Sequence, residues 1–272
     1  MRYRLIIGVA FILAACGVTG AQAAPAQETV VTQACLDWLK PLDIEAPLSI
    51  KRVEGGLCLN GHIQTGDDKP VLAQLDTFDK ATPLIVVVRS SGGEVNAAMA
   101  IGEALLDRPA TVIAEQLCAS SCANFLITAG HRRIVRPETL LLYHGAVTLD
   151  QLDQLLPQLQ ASAVQDGTFN VADTFLNTYN YIVRSIGSQE AFLTKAGISS
   201  TLFRWMDLIN HMTPAEAGHH CRADVATIQY PPEVLARFGL TFDEYDPPHI
   251  QADIDALEHK LGKKAPICDW QD

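Results

Sequence analysis

The chain has 272 residues, of which 48% are hydrophobic, and a formal net charge of −11. This size and composition allow one large globular domain, or one domain with an appendage. The acidic balance argues against a nucleic-acid partner, because neutralising phosphates requires clustered lysine and arginine, and no basic run extends beyond His131-Arg132-Arg133.

The N-terminus has the pattern of a targeting segment. Arg2 and Arg4 precede a short apolar stretch, and Ala21–Ala23 forms an A-x-A cleavage site. The apolar stretch is too short to predict a membrane-spanning helix. The pattern predicts a signal peptide over residues 1–23 and an exported bacterial protein, in the periplasm or the envelope.

An alternative cleavage lies within the same segment. The sequence Leu13-Ala14-Ala15-Cys16 resembles a bacterial lipobox, which would remove residues 1–15 and attach a lipid to Cys16. In that case the protein would contact the membrane through this anchor.

The cysteine count also favours export. Beyond Cys16 the chain has an even number of cysteines, which is typical of disulfides in an oxidising compartment. Proximity in the sequence favours the pairs Cys35–Cys58, Cys118–Cys122 and Cys221–Cys268, although the sequence alone does not settle the pairing.

The middle of the chain alternates between strand and helix patterns, which predicts an α/β fold with a mainly parallel sheet and right-handed crossovers. The continuous apolar run Leu84–Val88 is typical of a parallel strand buried on both faces. The elements predicted in chain order are a strand at 56–63, a helix at 70–78, a strand at 84–88, a helix at 96–106, a strand at 110–115, a helix at 121–130 and a strand pair or bent strand at 133–145.

The sequence predicts that the segments after residue 147 are additions to this α/β domain. Residues 148–203 have helical spacing, as in a segment that covers a cleft or makes an oligomer contact, and 212–227 reads as a helix start followed by a return strand. The predicted organisation is an N-terminal extension (24–50), a domain (51–230) with the helical insertion 148–203, and a C-terminal tail (231–272) with one short amphipathic helix.

Two strand-to-helix junctions could carry chemistry. Gly92-Gly93 could expose backbone N–H groups as an oxyanion hole, or could form an ordinary turn. At the next junction, Ser120 and Ser121 could cap the helix that follows or supply a nucleophile, and the flanking Cys118 and Cys122 lie within disulfide reach.

His144 ends the apolar run before Gly145, at the carboxyl end of a strand, where α/β folds place their active sites. A serine with a histidine and an acid is the minimum for an activated hydroxyl. The group His211, His219, His220 and Cys221 matches no standard metal spacing, so no metal and no other cofactor is predicted.

In order, these motifs resemble those of the Clp-protease/crotonase superfamily, particularly its Clp-type serine peptidase and signal-peptide-peptidase-A branch. The matching segments are "GLCLNGHIQ", "LIVVVRSSGGEV", "CASSCANFLITAG", "RPETLLLYHG" and "MTPAEAGHH", over roughly residues 57–224. The resemblance implies a ClpP/crotonase-like spiral of β-β-α units with an added helical segment.

The resemblance also implies roles for individual residues. Counting back from Ala129-Gly130 places the family's nucleophile on Ser121, which leaves Ser120 as a helix cap or neighbour, and the general base falls on His144. The oxyanion donors would be the N–H groups of Gly93 and Cys122.

The family's acid is harder to locate. Counting back from Glu216 gives Trp205, so Asp207 would take the role after a two-residue shift, with Asn210 as the fallback. Cys122 also replaces the small or flexible residue that normally follows the nucleophile.

Two functions remain open at this point. The first is an exported serine peptidase or hydrolase that cleaves peptide or ester bonds, without the ATP-dependent unfoldases and coenzyme A that belong to the cytoplasm. The second is a catalytically inactive relative that serves as a binding or assembly module of the cell envelope. A homo-oligomer is compatible with either.

Overall fold

The computed structural model describes residues 25–149, 170–212, 227–248, 251–261 and 267–269. The predicted leader, with Cys16, and the segment with His219, His220 and Cys221 lie outside these ranges.

The described strands form a mainly parallel sheet, which confirms the predicted mixed α/β class. The strands are β1 Ser49–Val53, β2 Gly56–Asn60, β3 Leu84–Ser90, β4 Ala110–Ala119, β5 Arg132–Val135, β6 Leu140–Leu142, β7 Thr227–Gln229, β8 Glu244–Tyr245 and β9 Ile267–Asp269. The order in the large sheet is β1-β2-β3-β4-β5-β8, with β6 beside the end of β4, while β7 and β9 pair separately. Among the described pairs of the large sheet, β1 and β2 run antiparallel and the others parallel.

Helices cover both faces of this sheet. They are α1 Pro25–Leu39, α2 Asp68–Leu75, α3 Val95–Leu106, the π-helix Cys122–Ile127, α4 Val171–Lys195, α5 Thr201–His211, α6 Pro232–Ala236 and α7 Gln251–Lys260. Sequence analysis did not identify α1. In the described part of the chain, no helix combines the length and apolarity needed to span a membrane.

The apolar strands are buried on both sides, as the uninterrupted run in β3 predicts. Val86 and Val88 point into the main core with α2, α3 and the π-helix. Ile85 and Val87 point to the opposite face, where α1 covers them. The alternation follows from the two-residue period of a strand, and it places the π-helix and α1 on opposite faces of the sheet.

A disulfide joins α1 to the sheet. Cys35 and Cys58 are fully buried, and their Cα atoms are 5.5 Å apart. By the chain-entropy model, closing a loop of this length contributes about 3 kcal/mol to stability. This pair and Cys118–Cys122 confirm two of the favoured pairings, whereas the third involves Cys221 and lies outside the described residues.

β4 changes its neighbour halfway along. Thr111–Ala114 pairs with β5, and Leu117–Ala119 pairs with β6. Between them Gln116 adopts a left-handed φ of +61°, and its N–H donates to Thr139 Oγ1 at 3.0 Å. The bend directs the end of β4 toward β6, where the candidate active site lies.

We predict that Glu115 makes stability fall as the pH rises. Burial raises the pKa of Glu115 from 4.5 to about 7, although Arg136 opposes the shift. A raised folded-state pKa contributes stability below the unfolded value of 4.5, and this contribution is lost as the pH rises through 7. Glu115→Gln should therefore gain stability relative to the parent at alkaline pH, by at most about 3 kcal/mol.

Urea unfolding in acidic and in alkaline buffer measures this difference. Glu103→Gln, at an exposed glutamate of α3, controls for the chemistry of the substitution. An effect of Glu115→Gln that is the same in both buffers would contradict the prediction.

Candidate active site

The parallel pairing of β4 and β6 brings Ser120 and His144 together. Ala119 lies opposite Leu142, and the Ser120 N–H donates to the Leu142 carbonyl at 2.9 Å. His144 follows two residues later, and its Nε2 is 2.5 Å from Ser120 Oγ. A hydroxyl and an imidazole are thus in hydrogen-bond contact at the carboxyl ends of two parallel strands.

Ser120 adopts a strained backbone conformation. Its φ of +56° is left-handed, which is uncommon for a residue other than glycine. The residue is partly exposed, and its carbonyl accepts from the Asn124 N–H at 2.8 Å. Strained turns of this kind expose the serine nucleophile in other hydrolases. The predicted role of Ser120 as a helix cap is not observed, because its hydroxyl contacts His144 instead.

Ser121 faces the other way. Its side chain is only 2% exposed, and its hydroxyl donates to the Gly93 carbonyl at 2.7 Å. It occupies the N-cap position of the π-helix without a side-chain capping bond. The predicted pairing of Ser121 with His144 is therefore replaced by a pairing of Ser120 with His144.

The π-helix explains this shift by one residue. A π turn holds one residue more than an α turn, so it acts as a one-residue insertion in a helix. The sequence count ran backward from Ala129-Gly130 on the assumption of ordinary helical spacing. The extra residue in Cys122–Ile127 moves the residue at the turn from Ser121 to Ser120.

Main-chain hydrogen bonds hold the segment on either side of His144. The Tyr143 N–H and carbonyl both pair with Ile228 of β7, at 2.9 and 2.8 Å. The carbonyl of Gly145 accepts from Nδ2 of Asn124, a buried residue one turn after Ser120. Sequence reasoning missed Asn124, although a lone polar residue in the apolar run "CANFLI" was the available signal.

α4 supplies a further anchor. The side-chain amide of Gln189 is 4% exposed, and it accepts from the Val147 N–H and donates to the Val147 carbonyl, both at 3.1 Å. No sequence pattern had marked Gln189. It fixes the extended segment three residues beyond His144.

The environment of His144 favours the neutral ring. His144 is exposed as a residue, yet the neighbouring protein partly desolvates its imidazole. This desolvation lowers the pKa of His144 from its usual 6.5, and a backbone hydrogen bond partly opposes the shift. A neutral imidazole can accept the proton of the serine hydroxyl.

The role of Asp207 as the acid that orients His144 stays a prediction. Asp207 lies on α5, next to the buried Met206, and makes no hydrogen bond with the His144 ring. Within the described segments, no carboxylate contributes to the pKa shift of His144. Trp205 packs against Tyr230 and Phe238, and the Asn210 side chain lies outside what is described.

The Gly92-Gly93 turn lies against the Ser120 turn. Both glycines have a left-handed φ, of +91° and +133°. The Ser90 hydroxyl holds the turn by donating to the Gly61 carbonyl and accepting from the Gly92 N–H. Within the described part of the chain, the N–H groups of Gly93 and Ser121 donate no main-chain hydrogen bond.

The second disulfide spans the same turn. Cys118 ends the paired part of β4, Cys122 begins the π-helix, and their Cα atoms are 5.2 Å apart. Both residues are fully buried. Ser120 is therefore enclosed in a covalent loop between these two positions.

A cavity of about 320 Å³ adjoins the segment after His144. It begins at Ala146, two residues from the imidazole, and its walls come from α4 and the start of α5. Its lining is largely apolar and includes Val147, Leu149, Ile186, Leu193 and Phe203.

Residues 49–165 match the sequence model of the Clp protease family. The match includes β1 to β6, Ser120 and His144, and it supports a peptidase-like function in general. It does not include α4 and α5. Comparison with curated proteins gives no match.

We predict that Gly92→Ala disrupts the serine turn. A Cβ at Gly92 would lie 2.5 Å from the Ala119 carbonyl oxygen and 2.7 Å from Ser120 Cβ, so the backbone there must move. Gly66→Ala is a matched control, because Gly66 has the same φ of +91° and no heavy atom within 4 Å of its Cβ position. Gly92→Ala should destabilise the protein more than the control by about 1–3 kcal/mol.

Chemical unfolding of the two variants measures the difference. Equal destabilisation would mean that left-handed strain alone, rather than contact with the Ser120 turn, requires glycine at position 92.

Proposed function

We propose that this chain, a member of the ClpP/crotonase superfamily through residues 49–165, is an exported serine hydrolase of peptide or ester bonds. Ser120 is its nucleophile and His144 its general base. The observation that carries the proposal is the 2.5 Å contact between Ser120 Oγ and His144 Nε2. Nucleophile and base must lie within hydrogen-bond reach of each other for proton transfer.

Exposure and environment distinguish Ser120 from its neighbour. Ser120 is partly exposed on a left-handed turn, whereas the Ser121 hydroxyl is buried and bonded to the Gly93 carbonyl. A nucleophile must reach the substrate carbonyl, so these contacts favour Ser120. Ser121 contributes through its backbone.

The chemical steps follow from this arrangement. Ser120 Oγ attacks the carbonyl carbon while His144 Nε2 takes its proton, and a tetrahedral oxyanion forms. His144 then protonates the leaving amine or alcohol, and an acyl group remains on Ser120. Water, deprotonated by His144, releases the acid and regenerates the hydroxyl.

The oxyanion needs donors near Ser120. The Ser121 N–H follows the nucleophile directly, and the Gly93 N–H lies on the adjoining turn, so we assign the oxyanion hole to these two groups. The predicted Cys122 N–H gives way to that of Ser121 because the nucleophile moves by one residue. Each donor is worth about 3 kcal/mol of transition-state stabilisation.

The disulfides support the location. Two buried cystines fit an oxidising compartment, and residues 1–23 carry the export pattern, with Cys16 as the alternative lipid anchor. The apolar cavity beside Ala146 supports a substrate with an apolar group near the cleaved bond. We retain Asp207, on α5, as the proposed orienting acid of His144.

We predict that a fluorophosphonate probe labels Ser120. Ser120→Ala should abolish labelling and lower esterase activity by about a thousandfold or more, because the nucleophile is lost. Ser121→Ala keeps the Ser120–His144 pair and should still be labelled. Mass spectrometry of the labelled peptide identifies the residue directly.

Labelling that survives in Ser120→Ala but disappears in Ser121→Ala would return the nucleophile to position 121. No labelling of the folded parent would favour the non-catalytic binding module.

We predict that the protein remains active at pH values below 6.5, the usual pKa of histidine. Only neutral His144 can take the serine proton, and its pKa lies below 6.5, so the acid limb of the rate profile should have its midpoint below 6.5. The second-order rate of probe labelling as a function of pH measures this limb. A midpoint above pH 6.5 would contradict the prediction that desolvation lowers the pKa of His144.

A further inference from the structure

Two buried cysteines flank the proposed nucleophile, each two residues away in the sequence. Cys118 lies two residues before Ser120 and Cys122 two residues after it, and they form a disulfide. We infer that this disulfide is a positioning element of the catalytic turn, and that hydrolysis at Ser120 requires it to be formed. The inference rests on the proposed function of Ser120.

Ser120 has a left-handed conformation, with a φ of +56°, that needs support from its surroundings. A left-handed residue other than glycine persists only where its surroundings hold it. The Ser120 N–H donates to the Leu142 carbonyl, and the Ser120 carbonyl accepts from the Asn124 N–H. These two bonds tie Ser120 to β6 on one side and to the π-helix on the other. The disulfide adds a covalent limit on the distance between β4 and the π-helix.

The π-helix gives the disulfide a specific task. π turns are rare and less favourable than α turns, and Cys122 is the first residue of this one. Relaxation to an α turn would remove the one-residue offset at the start of the helix. Ser120 would then rotate away from His144 Nε2. The disulfide at Cys122 opposes this rotation because it holds the first residue of the π-helix in place.

The disulfide must form as the protein folds. Both sulfur-bearing residues are fully buried in the folded chain, so a reductant in solution has no direct access to them. A disulfide oxidant accepts two electrons and two protons from the Cys118 and Cys122 thiols, and is itself reduced to two thiols. The chain would thus gain its activity only where such an oxidant is present.

The other disulfide provides an internal control. Cys35–Cys58 is equally buried but joins α1 to β2 on the opposite face of the sheet. Cys118 and Cys122 belong to the core that contains the π-helix. Removing either pair deletes one buried disulfide, yet only one of them touches the Ser120 turn.

The test compares Cys118→Ala/Cys122→Ala with Cys35→Ala/Cys58→Ala and the parent, all produced under oxidising conditions. Fluorophosphonate inactivation gives the maximal rate constant and the half-saturating probe concentration separately. We expect the first pair of substitutions to lower the maximal rate by about tenfold or more, since small misplacements of reacting groups have effects of this size. The half-saturating concentration should stay near that of the parent. The control pair should lower the unfolding midpoint and retain the maximal rate.

Hydrogen exchange supplies a second readout that does not depend on labelling. The amides of Ser120 and Asn124, which donate to the Leu142 and Ser120 carbonyls, should exchange faster in the Cys118/Cys122 variant, while those of β3 should not. If that variant fails to fold, Cys118→Val/Cys122→Ala replaces the sulfurs with apolar atoms suited to a strand and a helix start.

An unchanged maximal rate, or an equal loss in both disulfide variants, would overturn the inference while leaving Ser120 labelled and the hydrolase proposal intact. A folded parent that is never labelled would instead overturn the hydrolase proposal, and the catalytic role of the disulfide with it.

Discussion

The pairing of Leu117–Ala119 with Leu140–Leu142 is the constraint on which the site depends. Because the two strands are parallel and in this register, the residues that follow them meet at one edge of the sheet. To reach β6, β4 must leave β5, and the left-handed Gln116 makes this change of partner. The hydroxyl of Thr139, just before β6, accepts a hydrogen bond from the Gln116 N–H, which does not pair with a neighbouring strand at the bend. A serine and a histidine 24 residues apart thus come into contact without any long loop to position them.

Main-chain anchors, rather than a chain of charged side chains, hold the described part of the site. Main-chain hydrogen bonds join Ser120 to Leu142 and Tyr143 to Ile228. The side-chain amide of Gln189 binds the N–H and the carbonyl of Val147. Each anchor satisfies a buried backbone group that would otherwise cost stability, so the same bonds serve the fold and the geometry of the site. Such a framework can hold an imidazole in place even where no carboxylate of the described chain reaches it.

The sequence predicted the features that depend on local pattern. Apolar runs located the buried strands, Gly92-Gly93 located the turn beside the site, and spacing located two cysteine pairs. The count from the resemblance points to Ser121, whereas the hydroxyl in contact with His144 is that of Ser120. A π turn leaves no distinct trace in apolar spacing, so the sequence could not show which of the two serines faces the histidine. The sequence did not reveal α1, because its fully buried apolar side chains are few, namely Val31, Cys35 and Leu39, and they follow a leader-like segment. Asp207 is the carboxylate nearest in the sequence to the position that the resemblance gives for the acid, and proximity in the sequence alone does not show which side chain faces His144.

The two disulfides differ in what they contribute physically. Cys35–Cys58 closes a loop of 23 residues, whereas Cys118–Cys122 spans only four, so its entropic gain is smaller, roughly 2 kcal/mol by the chain-entropy model. A short bridge is a weak way to stabilise a whole domain that already buries a large core. It is an effective way to restrict one turn, since every residue inside the loop is limited by it. Its position around Ser120 is therefore better explained by local geometry than by global stability, and local geometry is what a serine nucleophile requires.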